Sequence, residues 1–456
     1  MPSFLTDMKT KDLRNFNRRR FSIERLFLKL LSAFVNHKKA KEKYKTFEGI
    51  NKFSLIDRIK LRMMNKSVQR SYIKNIIRLK EALKTRKLKV CFLVGSISKW
   101  HCDALYNEFS TNEHFEPCIL VTKANECKQS ELLEFFKKRY KNVEEAFLSK
   151  SNKFININEF EPDILFYQKP WMIDQSQHPI VASKRALTCY TPYCFHLMKS
   201  DFDYLSAFHR FLWTYFVESE GHIEDYKKRF NATNCVVSGS VHFDNYIYKK
   251  GANFDKWNDN EHSKKRIIYA PHFTFDSSHM VSTFRENGNF MLNLASMYPQ
   301  TTWIFKPHPN FFEQIVADGL MSNDELSNYC DEWKKYGTIW DSSYGNYFDM
   351  FKTSDCLITD CISFLADYFP TGNPVIHLRS KKQTREFNEF GNYIIESYYQ
   401  VFNNSELEKA FSQIIVEGND PKKSERLKKI DELNIVKKFS ASKIILKYLN
   451  EKLGIK

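Results

Sequence analysis

The chain has 456 residues, 42% of them hydrophobic and 15% aromatic, with a formal net charge of +16. That length holds two domains with full cores plus an extension; the aromatic content excludes wholesale disorder, and no apolar run approaches the ~18 residues of a membrane span. Ten Cys are scattered without a CxxC pair, which fits no zinc framework and reads as reduced thiols of a cytosolic protein.

Charge is unevenly placed. Residues 1–89 hold 26 Lys or Arg against 7 Asp or Glu, a net of +19, so with the whole chain at +16 the remainder carries −3. Residues 1–87 are read as a basic helical extension suited to an anionic surface such as phospholipid head groups. Within residues 13–45, Leu26, Leu30 and Phe34 share one face, Phe27 and Leu31 adjoin it, and Arg18, Arg19, Arg20, Arg25 and Lys29 surround it. This is the pattern of an amphipathic helix that lies in a membrane interface or packs on the body of the protein. A second basic helix is expected from about residue 54 to 84. The N-terminus has no cleavable apolar core, so no signal peptide is expected.

The first strand falls at 90–94, followed by Gly95-Ser96-Ile97-Ser98 and a helix carrying residues 100–109. Strand, glycine, helix is how a Rossmann-like domain opens. Further strands are expected at 117–121, 163–167, 186–190, 213–217 and 235–238, giving a domain over 88–246. A polar stretch, 249–265, precedes a second domain over 265–420, with strands at 266–269, 301–305, 337–340, 356–358 and 374–378. Closing helices at 405–416 and 422–450 are expected to return toward the first domain, with 421–456 as a C-terminal helix.

Three signals punctuate the second domain. Tyr269-Ala270-Pro271-His272 closes one strand, Lys306-Pro307-His308-Pro309 closes the next, and Thr359-Asp360-Cys361-Ile362-Ser363 follows a third. Short apolar runs ending in polar residues and followed by helical stretches read as βα units of a parallel sheet. Ligands of such sheets bind outside the carboxyl ends of the strands. A helix starting after Ser363 would present N–H groups to a phosphate. His272, Lys306, His308 and Ser363 thereby outline a nucleotide-diphosphate pocket.

The spacing from Lys306-Pro307-His308-Pro309 to Thr359-Asp360-x-x-Ser363 resembles the C-terminal half of the CDP-glycerol glycerophosphotransferase family, the GT-B-type enzymes of teichoic-acid and capsule polymer synthesis. The resemblance extends to Val237-Ser238-Gly239-Ser240-Val241-His242-Phe243-Asp244 upstream and Gly372-Asn373-Pro374-Val375 downstream, and covers roughly residues 88 to 420. It implies an α/β fold of GT-B type: two Rossmann-like domains facing a cleft, with the basic helical extension added. It also implies that His308 contacts phosphate, that Ser363 is the second serine of the family's pair, and that Asp360 is its aspartate. Asp360 is expected to brace the loop or bond the ribose or Lys306, because an acid repels a diphosphate. His272 stands where the family commonly has threonine.

The family's supposed base is the histidine of a Trp-His-Gly-Thr-Pro block. Here the aligned run is Thr188-Cys189-Tyr190-Thr191-Pro192, with Cys189 at the histidine's place. His196, four residues after the proline, and His101, on the first βα loop, are the candidate bases. No Asp-x-Asp motif lies in a loop suited to a metal, so no metal or other cofactor is expected. The expected reaction is attack by an acceptor hydroxyl on the β-phosphorus of a CDP-alditol, releasing CMP, at the inner face of the cell membrane. The expected partners are the nucleotide-activated donor, a glycan or lipid-linked acceptor and an anionic membrane. The alternatives are a GT-B glycosyltransferase using a UDP- or CMP-sugar and, in another class, nucleic-acid binding through the basic N-terminus, for which no aromatic-basic motif argues.

Overall fold

The structure, a computed structural model, describes residues 55–125, 127–199, 207–224, 233–244, 246, 254–257, 264–275, 281–340, 347–381, 383, 386–433 and 440–455. The amphipathic helix expected within 13–45 lies outside them. The chain parts into two compact units, Met1–Arg62 and Met63–Lys456, and both sheets belong to the second. No helix among the described residues is long and apolar enough to cross a membrane.

Two all-parallel sheets form the body. The first runs β3 (Val143–Glu145), β2 (Phe115–Val121), β1 (Leu88–Val94), β6 (Ile164–Tyr167), β7 (Leu187–Tyr190), β8 (Thr214–Val217) and β9 (Cys235–Val237). The hairpin of β4 (Phe147–Leu148) and β5 (Lys153–Phe154) stands apart from it. The second runs β12 (Gly337–Ile339), β11 (Thr301–Phe305), β10 (Lys265–Ala270), β13 (Cys356–Thr359), β14 (Val375–Leu378) and β15 (Tyr399–Val401). Each sheet starts in its middle, builds to one edge, then crosses back to build to the other, as doubly wound sheets do. The central strands are apolar runs buried on both faces, because helices cover each side of a parallel sheet. In the second sheet, Trp303 and Phe305 face one core with Trp333 and Phe411, whereas Ile304 faces another with Phe351 and Tyr368.

The eleven strands expected from sequence all form, within a residue or two of their expected ends. Edge strands β3 and β15 were not expected; each has three residues with a partly exposed pattern and so no apolar run to announce it. Trp100 belongs to the turn before the first βα helix, Asp103–Thr111. Its ring meets Phe92, Phe136 and Tyr140 edge-on. The helix expected over 422–450 is two helices, Lys423–Leu433 and Ala441–Leu453. The second has its own cap: the Ser440 hydroxyl accepts from Lys443 N, and the buried Asp244 carboxylate accepts from Ala441 N and Ser442 N. Tyr448 then packs on Trp213 and Phe216, so the chain does return to the first sheet.

The extension does not end at 87 as one separable segment. The helix Leu55–Ala82 buries Val68, Tyr72, Asn75 and Leu79. Asn75 donates to the Ser183 and Ala186 carbonyls, and the Tyr72 hydroxyl to the Phe211 carbonyl at 2.6 Å. Arg78 and Arg86 both reach the buried Asp163, at 3.1 and 2.6 Å. Burial opposes the Asp163 charge, but these guanidiniums and the Lys89 N–H outweigh it and hold its carboxyl below the usual range. Cutting at Arg86 would remove one partner of this buried pair and uncover apolar surface of the first sheet.

Candidate nucleotide-diphosphate site

The second sheet changes direction between β10 and β13, and their carboxyl ends are stitched together. The Thr359 hydroxyl donates to the Ala270 carbonyl at 2.6 Å and accepts from Cys361 N at 2.9 Å. Asp360 is buried; one carboxylate oxygen accepts from His272 N at 2.6 Å, the other from Thr283 N at 2.6 Å and Thr283 Oγ1 at 2.9 Å. Burial raises its carboxyl to about 7 against the lowering effect of those bonds. With both oxygens committed to protein donors, Asp360 acts as the loop brace, and no bond joins it to Lys306.

His272 and His308 are neighbours across the mouth of this crevice, ring centroids 5.0 Å apart, with Phe273 4.3 Å from His308. His308 Nδ1 accepts from Asn310 N at 3.2 Å, so the proton of the neutral ring lies on Nε2. His272 Nδ1 likewise accepts from Thr274 N at 3.3 Å. His308 therefore carries an Nε2 N–H that can donate. Burial, then His272, Lys306 and Lys99, depress His308 to about 2. In the resting protein His308 is a neutral donor.

Lys306 supplies the charge. It is only 5% exposed, and its ammonium lies 4.6 Å from the Phe364 ring centroid, 5.2 Å from Tyr347 and 5.4 Å from Trp340. Among the described residues it has no hydrogen-bond or ion-pair partner. Burial lowers it to about 8, with Cys361 and Asp367 acting in the other direction. A boxed ammonium without a carboxylate partner is poised to bind an anion. Ser363 is not where the sequence put it: the helix is Ile362–Tyr368, its N-cap is Cys361, and Ser363 is its second residue, with Oγ 3.5 Å from Cys361 Sγ.

Both candidate bases approach from the first half. His101 is buried, and its ring stacks 3.7 Å from His242 and meets Tyr347 at 5.9 Å. Burial and His242 hold it well below the ordinary histidine range. His242 Nδ1 lies 3.5 Å from Asp367 Oδ1, and the Tyr347 hydroxyl donates to Asp367 Oδ2 at 2.7 Å. His196 Nδ1 lies 2.8 Å from Glu218 Oε1, and Cys194, two residues earlier, lies within electrostatic reach of Tyr347. Cys189, at the family's histidine position, is wholly buried in β7, and burial pushes its thiol up.

Sequence reasoning missed Lys99, Glu218, Asp367 and the pairing of His242. Lys99, on the loop after β1, acts electrostatically on both His308 and His101. Lys99 and Glu218 follow strand ends, a signal the sequence does carry. Asp367 lies inside a helix, where nothing marks it. Among the described residues no group of His, Cys, Asp and Glu side chains is arranged to hold a metal.

Two doubly wound sheets joined through such a site define the GT-B architecture, and solved structures match it over most of the chain. No protein-family model matches the sequence, and no curated protein does. A Staphylococcus aureus MnaA–UDP co-structure superimposes with TM-score 0.55 at 13% identity, covering 81% of this chain and 98% of that one. A UDP-GlcNAc 2-epimerase from Methanocaldococcus jannaschii matches with TM-score 0.52 at 14% identity, covering 80% and 99%. A variant of the wall teichoic acid polymerase TagF matches with TM-score 0.52 at 14% identity, covering 88% and 99%. These likenesses establish the fold.

Proposed function

We propose that the protein is a transferase that moves an alditol-phosphate group from a CDP-activated donor to a hydroxyl of a surface-polymer acceptor and releases CMP. One observation carries this reading: the boxed Lys306 ammonium, beside the neutral His308 imidazole with its proton on Nε2 and the His272 ring, at the crevice where a parallel sheet binds its ligands. Lys306, His308 and His272 would hold the diphosphate, with Lys99 facing it from the first half. The acceptor hydroxyl attacks the β-phosphorus, the bridging P–O bond breaks, and CMP leaves with the negative charge that Lys306 and His308 stabilise. The hydroxyl proton passes to His196 or His101. The TagF structure soaked with CDPG supports the donor class.

A glycosyltransferase using a UDP-sugar is the second reading, favoured by likeness to a Neisseria meningitidis epimerase structure bound to UDP-GlcNAc. Incubating the full chain with CDP-glycerol, CMP-sugar and UDP-sugar donors and analysing the released nucleotide separates the two. CMP release from CDP-glycerol alone is expected, and UDP release from UDP-sugars alone would replace the first reading with the second.

Membrane attachment belongs to this proposal. Met63, Ile73 and Ile77 are exposed on the helix Leu55–Ala82, among the exposed Lys66, Arg70 and Lys74. Each cation near an anionic surface contributes about 1 kcal/mol. Reversing the three to Glu is expected to abolish co-sedimentation with phosphatidylserine vesicles while the sheets stay folded.

A further inference from the structure

Lys306 has no direct anionic partner among the described residues, yet a carboxylate stands behind one wall of its box. Asp367 is buried on the helix Ile362–Tyr368, one turn after Phe364, whose ring centroid is 4.6 Å from the Lys306 ammonium. The Tyr347 ring, 5.2 Å from the same ammonium, lies 5.3 Å from the Phe364 ring. The Tyr347 hydroxyl donates to Asp367 Oδ2 at 2.7 Å, and the Tyr246 hydroxyl donates to the Asp367 carbonyl. Tyr347 is thereby held at both ends, its ring toward the cation and its hydroxyl on the carboxylate. Burial, then Asp367, hold its phenol well above the ordinary range, so Tyr347 remains the donor in that bond.

We propose that Asp367 is a positioning residue for the anion site: through the Tyr347 hydroxyl it fixes the ring wall on Lys306, and from behind that wall it supplies the counter-charge while leaving the ammonium hydrogens to the donor diphosphate. This rests on the transferase reading above. A carboxylate paired directly with Lys306 would compete with phosphate oxygens for the same N–H donors. One set a ring's width away does not compete, and its attraction still acts because it falls only with the inverse of distance. The attraction matters here, since burial alone favours loss of the ammonium proton. Burial lowers Lys306 to about 8, and Cys361 and Asp367 oppose that fall. His308 and Cys361 are the other titratable groups that face Lys306. Asp367 is faced by the Tyr347 and Tyr246 hydroxyls and, from the first half, by His242, whose Nδ1 lies 3.5 Å from Oδ1.

The test uses the full chain and ¹⁵N-lysine NMR, with the Lys306 Nζ signal assigned by its loss in Lys306→Met. Asp367→Asn keeps an oxygen for the Tyr347 hydroxyl and removes the charge. In it the Lys306 titration is expected to fall by about one unit from about 8. An unmoved titration overturns the proposal. Calorimetry with CDP should follow the NMR: affinity about fivefold weaker than wild type at pH 8 and unchanged at pH 6, where the ammonium is protonated in both proteins. An equal loss at both pH values would make Asp367 only a part of the scaffold and overturn the proposal as well. Tyr347→Phe keeps the ring and the carboxylate but cuts the bond between them, and it serves if the asparagine variant does not fold. It should weaken CDP binding roughly two- to tenfold, the worth of one hydrogen bond; wild-type affinity would overturn the part given to the ring. A shifted Lys306 titration in a protein that binds no CDP would leave Asp367 behind Lys306 and sink the transferase reading instead.

Discussion

The two sheets have the same strand order up to their sixth strand, yet their switch points are built differently. In the first sheet the loops leaving β1 and β6 are closed by Gln168. Its Oε1 accepts from Gly95 N and Ser96 N, and its Nε2 donates to Ser96 O, at 2.7 to 3.1 Å. In the second sheet the corresponding brace is Asp360, with Lys306, His308 and His272 around it. A neutral amide satisfies the backbone by itself and brings no charge to the turn. The carboxylate braces equally well, and the Lys306 ammonium and the His272 and His308 rings stand on the loops beside it. One topology thus carries a neutral brace at one switch point and a carboxylate brace at the other, and the chemistry of a few strand-end side chains makes the difference.

That contrast predicts an ordered set of effects. Lys306→Met keeps the stem in its aromatic box and removes the charge, and should lower turnover about 10³-fold, at the upper end for a charge-stabilising group. His308→Ala should lower it by roughly two to three orders of magnitude. Both variants should melt near wild type, and a folded enzyme of normal rate in either case would remove that residue from the site. Gln168→Ala should do the opposite. It strands two buried N–H groups, so denaturant unfolding should show a loss of about 1–3 kcal/mol, while donor affinity by calorimetry stays unchanged. A loss of donor affinity with unchanged stability would dissolve the contrast between the crevices.

Asp360 gives the most specific effect. Its folded pKa is raised to about 7 from 3.8, so the folded state binds the proton that the unfolded chain releases in that window. Its contribution is complete below about pH 4 and is lost as pH rises through about 7. Asp360→Asn should therefore flatten the fall in stability between those values, measured by denaturant midpoints at stepped pH. An unchanged slope would assign the proton elsewhere.

What the sequence by itself determined is the βα rhythm and its punctuation. Runs such as Thr301–Phe305 are apolar because both faces are buried, and that needs no partner to be visible. The strand-end residues His272, Lys306 and His308 followed from it, since a strand of known direction fixes which end faces the crevice. Tertiary structure alone decided their states. Three aromatic side chains close around Lys306, which has no carboxylate partner among the described residues, and His308 is neutral because it is buried, with His272, Lys306 and Lys99 beside it. The partners of the candidate bases were equally hidden. Glu218 lies 22 residues from His196 and Asp367 far from His242, and only the folding of the sheets brings each carboxylate to its ring. Local pattern encodes strands and their ends; protonation and pairing depend on burial and on neighbours remote in the chain, which no local pattern records.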